Sequence, residues 1–287
     1  QVTNIEWDHH ALHGVRHRVA DRTQSVRKTD PALAGVFKGM SSLITPIQLA
    51  DEDRRLYTMV KDRARQALEN EEGGLAQYAQ LLRHICNNPT ALHRTDIPLG
   101  AQLAAQYPKL ATSAHCAKLD VLTAQLEGIR DEGDKVVVFT SWVNTSLSLI
   151  SDELTKLGIK HVTHHGGMDR KVAQAAQDTF RSNPDVTVFL SSDAGAFGLN
   201  LPEARFVISY EPTFSWDILM QRAERINRAD SWLDGLTSYV YVTDDSIEER
   251  IAAVCDERRQ LAAVTLGTVE TLNTTHSENN PAWLIFG

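Results

Sequence analysis

Beyond residue 131 the chain alternates between short apolar runs and amphipathic stretches, and that alternation limits the possible folds more than any other feature. "KVVVFTSW" and "VTVFLS" are of strand length, rich in Val and Phe, and apolar at consecutive positions. A strand with one wet face would alternate apolar with polar residues. Consecutive apolar positions mean that both faces are covered, which is the signature of a parallel sheet between helices. "KHVTHH", "RFVISY" and "SYVYVT" supply further strands. Helices are expected from about residue 144 to 157, over "DRKVAQAAQDTFRS", around "QRAERINRAD", and from about residue 246 to 266. The expected class is α/β: a parallel sheet with helices on both faces, preceded by a mostly helical segment.

That leading segment has helical punctuation. "DEDRRLYTMVKDRARQALENEEGG" opens on acidic residues and closes on Gly73-Gly74, as a helix with a matched dipole should. Leu56, Met59, Val60 and Arg63 share one of its faces. "ITPIQLA", just before it, holds a Pro and a Gln and does not read as a buried strand. "LAQYAQLLRHICNNP" is a second helix, stopped at Asn87-Asn88-Pro89. Residues 91–112, interrupted by prolines, read as an irregular connection. "SAHCAKLDVLTAQLEGIRDEG" is a third helix, with Leu119, Leu122 and Leu126 at core spacing. The organisation expected is a helical lead-in over 41–130, an α/β lobe over 131–267 and a flexible tail over 268–287, with Trp283 to Phe286 available to dock.

Composition excludes some classes. The chain has 287 residues, 42% hydrophobic and 23% charged, as soluble globular proteins do. No apolar run has membrane-spanning length, so no membrane partner is expected. Cys86, Cys116 and Cys255 are too few and too scattered for a disulfide framework, which points to a reducing cytoplasm. The chain begins at Gln1 rather than Met, and we expect it to be a piece of a longer protein. A net charge of −8 argues against a basic coat but leaves room for local patches, such as Arg16 to Lys28.

Ligands of a parallel sheet bind at the carboxyl ends of its strands. Here those ends read Thr140-Ser141-Trp142, His164-His165-Gly166-Gly167, Ser191-Ser192-Asp193 and Glu211-Pro212. Hydroxyls, glycines and exposed amides suit phosphates. "SSDAGAFGLNL" adds Gly195 and Gly198, which allow close backbone approach. In "QRAERINRAD", Gln221, Arg225 and Arg228 stand at i, i+4 and i+7, one face of a helix, with Leu219, Ala223 and Ile226 opposite. Two guanidinium groups on one face call for an anion. Yet the chain has no Gly-rich loop with Lys, and "DEDR" at Asp51 to Arg54 follows no buried strand, so its acids read as a helix start. His84, Cys86, His93, His115 and Cys116 fit no usual zinc spacing.

The order of these motifs carries a resemblance. From about Ile44 to Glu249 the chain resembles the carboxy-terminal RecA-like lobe of Swi/Snf-type ATPases, double-stranded DNA translocases of helicase superfamily two. "LLRHICNNPTAL" is similar to the family's "LRQICNHP" element, and "AKLDVLTAQL" with "KVVVFTSW" to its motif IV. "HHGGMDRKVAQAAQDTF" matches at Gly166, Arg170 and Phe180. "SSDAGAFGLNL" resembles motif V, "QRAERINRAD" motif VI, and "DDSIEERI" the closing helix.

The resemblance implies a RecA-like lobe that meets ATP and Mg2+ held mainly by an amino-terminal RecA-like lobe outside this chain. Arg225 and Arg228 would be arginine fingers, with Gln221, Gly198 and Asn200 beside the nucleotide. Ser141, Trp142, Gly167, Ser191 and Ser192 would face duplex DNA, placing the protein with DNA in the nucleoid or nucleus. This lobe alone would not hydrolyse ATP. Residues 1–40 would be a linker or the end of the first lobe's helical protrusion. The family usually has a basic residue where Asp193 stands and Gly-Gln where Asp230-Ser231 stand; Asp193 is expected to repel a phosphate. The alternative is a non-catalytic nucleic-acid- or protein-binding module on a degenerate lobe.

Overall fold

A computed structural model describes residues 39–108, 116–195, 198–229, 231–265 and 281–286. The basic run Arg16 to Lys28, Asp230 and most of the expected tail lie outside them. The lobe is built on a six-stranded sheet. Its strands are β1 (Met40–Ile47), β2 (Val136–Thr140), β3 (His161–His164), β4 (Val188–Ser192), β5 (Phe206–Ser209) and β6 (Leu236–Thr243). They lie in the order β1-β6-β5-β2-β4-β3, and every pairing is parallel. The expected parallel class is therefore observed.

The consecutive apolar positions are explained by two cores. Val136 and Val138 of β2, with Val188, Leu190 and Ile208, point to one face of the sheet. Val137, Phe139, Phe189 and Val207 point to the other. On the first face pack α4 (Ala117–Asp131), through Leu119, Leu122 and Leu126, and α5 (Ser148–Lys156), through Ile150 and Leu154. On the second lie Phe180 of α6 (Arg170–Ser182) and the loop residues Leu199, Leu201 and Ile226. The side-chain period of two thus sends alternate residues of each central strand into different cores.

A third core joins α1 (Asp51–Glu69), α2 (Leu75–Asn87) and α3 (Pro98–Gln106) to α8 (Ile247–Thr265). On α1, Leu56 and Val60 are buried as expected; Tyr57, Ala64 and Ala67 complete the face, while Arg63 is exposed. The acids Asp51, Glu52 and Asp53 form its first turn, where the helix dipole favours them.

Two features refine the expectations, and one corrects the reading of residues 91–112 as an irregular connection. The segment before residue 131 is not wholly helical, because β1 joins the sheet edge beside β6. Its middle residues are exposed and Pro46 sits within it, which only an edge strand tolerates. Residues 91–112 are not wholly irregular: α3 starts at Pro98, whose missing N–H is harmless in a first turn. The far end of the tail, α9 (Pro281–Phe286), docks Leu284 and Ile285 into the third core. Arg250 Nη1 donates to the Leu284 and Ile285 carbonyls at 3.1 and 3.3 Å.

Candidate functional site

The carboxyl ends of β2, β4 and β5 meet α7 (Trp216–Ala223), which begins with Ser215 Oγ accepting from the Ile218 amide. The helix stops sooner than its sequence pattern suggests. Glu224 caps it, and Arg225 and Arg228 lie in the turns beyond. They are not on one helical face with Gln221. They converge instead on a single acceptor: Arg225 Nη1 and Arg228 Nη2 lie 3.3 and 3.4 Å from the Leu199 carbonyl oxygen. Arg225 Nε also donates to the Gln221 carbonyl at 2.9 Å, and the Leu201 amide donates to the Arg225 carbonyl at 2.9 Å. Burial, and then the Arg228 charge, lower the Arg225 pKa from its ordinary value. Arg228 Nε is buried without a hydrogen-bond partner.

The loop that supplies Leu199 is the glycine segment singled out in the sequence. Gly198 has φ +80°, where a side chain would be strained. Gly195 passes so close to β3 that a Cβ there would come within 2.6 Å of His164 Nδ1 and 2.9 Å of His165 Cα. The Asn200 carbonyl accepts from Arg181 Nη2 at 2.6 Å. Gly198, Asn200, Gln221, Arg225 and Arg228 thus share one neighbourhood.

The candidate DNA residues divide. Gly167 is exposed, and Trp142 is half-buried at the end of β2. Ser191 and Ser192 are buried; the Ser191 hydroxyl donates to the Ser192 carbonyl, and the Ser192 hydroxyl accepts from the Gly195 amide. Ser141 gives its amide to Glu211 and its hydroxyl to Asp193. In this arrangement the three serine hydroxyls hold the loops together rather than facing outward.

Asp193 is the main surprise. It does not stand as a bare negative charge. Arg222 grips it in a two-pronged pair, Nε to Oδ1 at 2.7 Å and Nη2 to Oδ2 at 2.9 Å. The Arg222 side chain is 1% exposed and that of Asp193 28%. Helical spacing sets Arg222 about 100° around from Gln221 and gives it no role; the Asp193 acceptor at the end of β4 turns it inward. Asp193, directly after the two hydroxyls that end β4, was the available signal. Arg222 Nη1 also reaches the Glu211 carbonyl at 3.5 Å. The Glu211 carboxylate accepts from Thr140 Oγ1 at 2.9 Å and from Asn87 Nδ2 at 3.1 Å. Burial raises its pKa, with Arg222 pulling the other way.

Arg222→Ala should therefore lower stability by about 3 kcal/mol, the lower end of the range for breaking a buried pair, because Asp193 keeps some water. Urea unfolding of this chain measures it. A loss below about 1 kcal/mol, the level of surface pairs, would show that the pair is effectively solvated.

The histidines and cysteines that fit no zinc spacing have other occupations. His84 is buried, and burial and Arg83 hold its pKa down at about 4. Cys116 Sγ lies 2.9 Å from the Asn87 carbonyl, and burial pushes its thiol up to about 12. Among the described residues no three His, Cys, Asp or Glu are grouped as metal ligands, and no helix is long and apolar enough to cross a membrane.

Comparison with known proteins agrees with this geometry. Residues 117–230 match the model of the helicase conserved C-terminal domain. The chain is 33% identical over 156 residues to DNA repair protein rad8 of Schizosaccharomyces pombe, covering 53% of this chain and 14% of that protein. It is 27% identical over 187 residues to helicase SWR1 of Kluyveromyces lactis, covering 64% of this chain and 12% of that one. The chain thus spans about a seventh or less of these relatives. Its fold resembles the crystal structure of the C-terminal part of the Fun30 ATPase domain, with TM-score 0.63, 17% identity, and 79% and 96% of the two chains covered. It also resembles the Sulfolobus solfataricus SWI2/SNF2 ATPase core solved in complex with dsDNA, with TM-score 0.61, 19% identity, and 89% and 52% covered. Residues 117–230 thus carry a helicase conserved C-terminal domain, and the parallel sheet around them resembles the carboxy-terminal lobes of Swi/Snf-type ATPases.

Proposed function

We propose that this chain is the second motor lobe of an ATP-dependent double-stranded DNA translocase, and that Arg225 and Arg228 are its arginine fingers. The observation that carries the proposal is the convergence of both guanidinium groups on the Leu199 carbonyl, with Arg228 Nε left as a buried donor. Two crowded cations and a spare donor are the complement of a highly charged anion. This donor set fits the phosphate end of ATP. It offers no carboxylate for magnesium, so Mg2+ and the phosphate loop are assigned to an amino-terminal lobe of the same longer protein. ATP brings a phosphoanhydride whose terminal phosphoryl gathers negative charge during transfer. Arg225 and Arg228 are the residues that neutralise that charge, and Gln221, Gly198 and Asn200 shape their surroundings.

DNA contact falls to groups at the same edge: exposed Gly167, half-buried Trp142 and the backbone around them. Ser141, Ser191 and Ser192 act through the loops they pin. Such contacts go to backbone phosphates and carry little sequence preference. The lead-in over 41–130 braces the lobe over 131–267, and β1 ties the two together.

The test is ATP turnover. The chain alone is expected to hydrolyse no ATP, and the longer protein to hydrolyse it with stimulation by duplex DNA, because DNA favours closure of the lobes. Turnover by the chain alone would overturn the lobe assignment. A longer protein without any turnover would establish the non-catalytic module instead.

A further inference from the structure

Arg83 of α2 is half-buried, and among the described residues its guanidinium makes no hydrogen bond and no ion pair. The other arginines near it each have a protein acceptor. Arg222 holds Asp193, and Arg225 and Arg228 share a carbonyl. Arg83 has only rings. Its guanidinium carbon lies 4.5 Å from the centroid of Trp142 and 5.4 Å from that of Phe214. Trp142 follows β2 and Phe214 follows β5, so both supports stand at the carboxyl edge of the sheet. His84 braces the other partner, its ring centroid 4.6 Å from that of Trp142. Aromatic faces hold a planar cation by its face and leave its N–H edges uncommitted.

The energetics leave this arrangement incomplete. Burial lowers the Arg83 pKa, and the charges of Glu211 and Glu248 oppose that at a distance without a hydrogen bond. Its nitrogens are not among the buried polar atoms that lack a partner, so they face water that a ligand can displace. The ligand that matches a fork of N–H donors is a carboxylate or a phosphate. At the edge where Gly167 is exposed and Trp142 half-buried, within reach of an approaching strand, the chemistry favours phosphate.

We infer that Arg83, supported by Trp142 and Phe214, binds one phosphodiester of a duplex DNA backbone at the carboxyl edge of the sheet. This rests on the reading of the chain as a DNA-tracking lobe. It adds a contact from the helical lead-in, a part of the chain to which no ligand has been assigned.

The experiment is fluorescence anisotropy of a labelled duplex DNA with this chain, over a series of salt concentrations. Relative to the parent, Arg83→Ala should bind about tenfold more weakly at the lowest salt, the loss of one charge-assisted hydrogen bond. It should also reduce the slope of log affinity against log salt by about 0.9, the release accompanying one phosphate. Both changes should be the same for unrelated duplex sequences. Arg83→Lys should keep the slope, since a charge remains. Should Arg83→Ala lose its thermal unfolding transition, Arg83→Gln, which keeps the stem over both rings, takes its place. An unchanged slope and affinity overturn the inference and leave duplex binding standing. If the parent binds no duplex DNA, the translocase reading falls, and pyrophosphate titrated against tryptophan emission, with Trp142→Phe as blank, decides the rest. An Arg83-dependent change then preserves the phosphate site, and none removes it too.

Discussion

Arg228→Ala and Arg225→Ala, each made in the longer protein, are expected to lower DNA-stimulated ATP turnover by about 10³- to 10⁵-fold. The Michaelis constant for ATP should change far less. A group that acts on charge present only in the transition state lowers turnover, whereas lost ground-state binding raises the Michaelis constant. The folded lobe asks little of these guanidiniums for its own stability. Both lean on the Leu199 carbonyl at 3.3 and 3.4 Å, which are long hydrogen bonds, and Arg225 adds one of ordinary length, 2.9 Å, to the Gln221 carbonyl. They are held near each other but not consumed. Arg→Lys should rescue little, because a point charge does not reproduce a planar fork. Lys160→Ala is the control, an exposed residue paired only with exposed Asp185. Steady-state turnover of the variants, with melting curves to confirm folding, makes the measurement. Wild-type turnover in both finger variants, or a raised Michaelis constant with unchanged turnover, would sink the assignment. Arg222 does not serve as a neutral neighbour here, since its removal strikes the Asp193 pair.

Lys118→Met should be strongly destabilising, at about 3 to 5 kcal/mol. Lys118 and Glu248 have side chains 0% and 1% exposed. Lys118 Nζ lies 2.6 Å from both carboxylate oxygens of Glu248 and 3.1 Å from Asn87 Oδ1. Glu248 also accepts from the Thr243 amide at 2.8 Å, which ties the end of β6 to the start of α8. Removing the cation leaves a carboxylate in the interior with one donor in place of a full set. Adding Glu248→Gln to Lys118→Met removes the uncompensated charge, keeps an acceptor for Thr243, and should recover a good part of the loss. A double-mutant cycle by urea unfolding reads the coupling. Additive losses, or a single-mutant loss below 1 kcal/mol, would mean that the pair does not stabilise the lobe. The same residues reach the site, because Asn87 also donates to Glu211 at 3.1 Å, and Glu211 receives the Ser141 amide. Destabilising Lys118 should therefore loosen the end of β2 as well as α8.

Much of this was legible in the chain. "KVVVFT" and "VTVFLS" announce buried strands because apolar residues fill consecutive positions, as a sheet covered on both faces requires. Gly195 and Gly198 mark a close approach and a positive φ, both of which are present. The stop at Asn87-Asn88-Pro89 and the acidic start at Asp51 lie where the helices end and begin. These are local properties, decided by which side chains a backbone conformation tolerates.

What the tertiary structure alone decided is of a different kind. β1 is a strand because β6, some two hundred residues away, offers hydrogen bonds; its own exposed, Pro-containing sequence has no strand period. Arg225 and Arg228 meet not through helical spacing but through a turn and a carbonyl of another loop. Asp193 is neutralised, and Arg222 buried, only because β4 and α7 end side by side. The half-buried Arg83 depends on rings from two separate loops. Periodicity and punctuation act over a few residues and determine the elements. Charge pairing and desolvation act between groups that only the packed sheet brings together, so the electrostatics of the site lay beyond what the sequence could specify by itself.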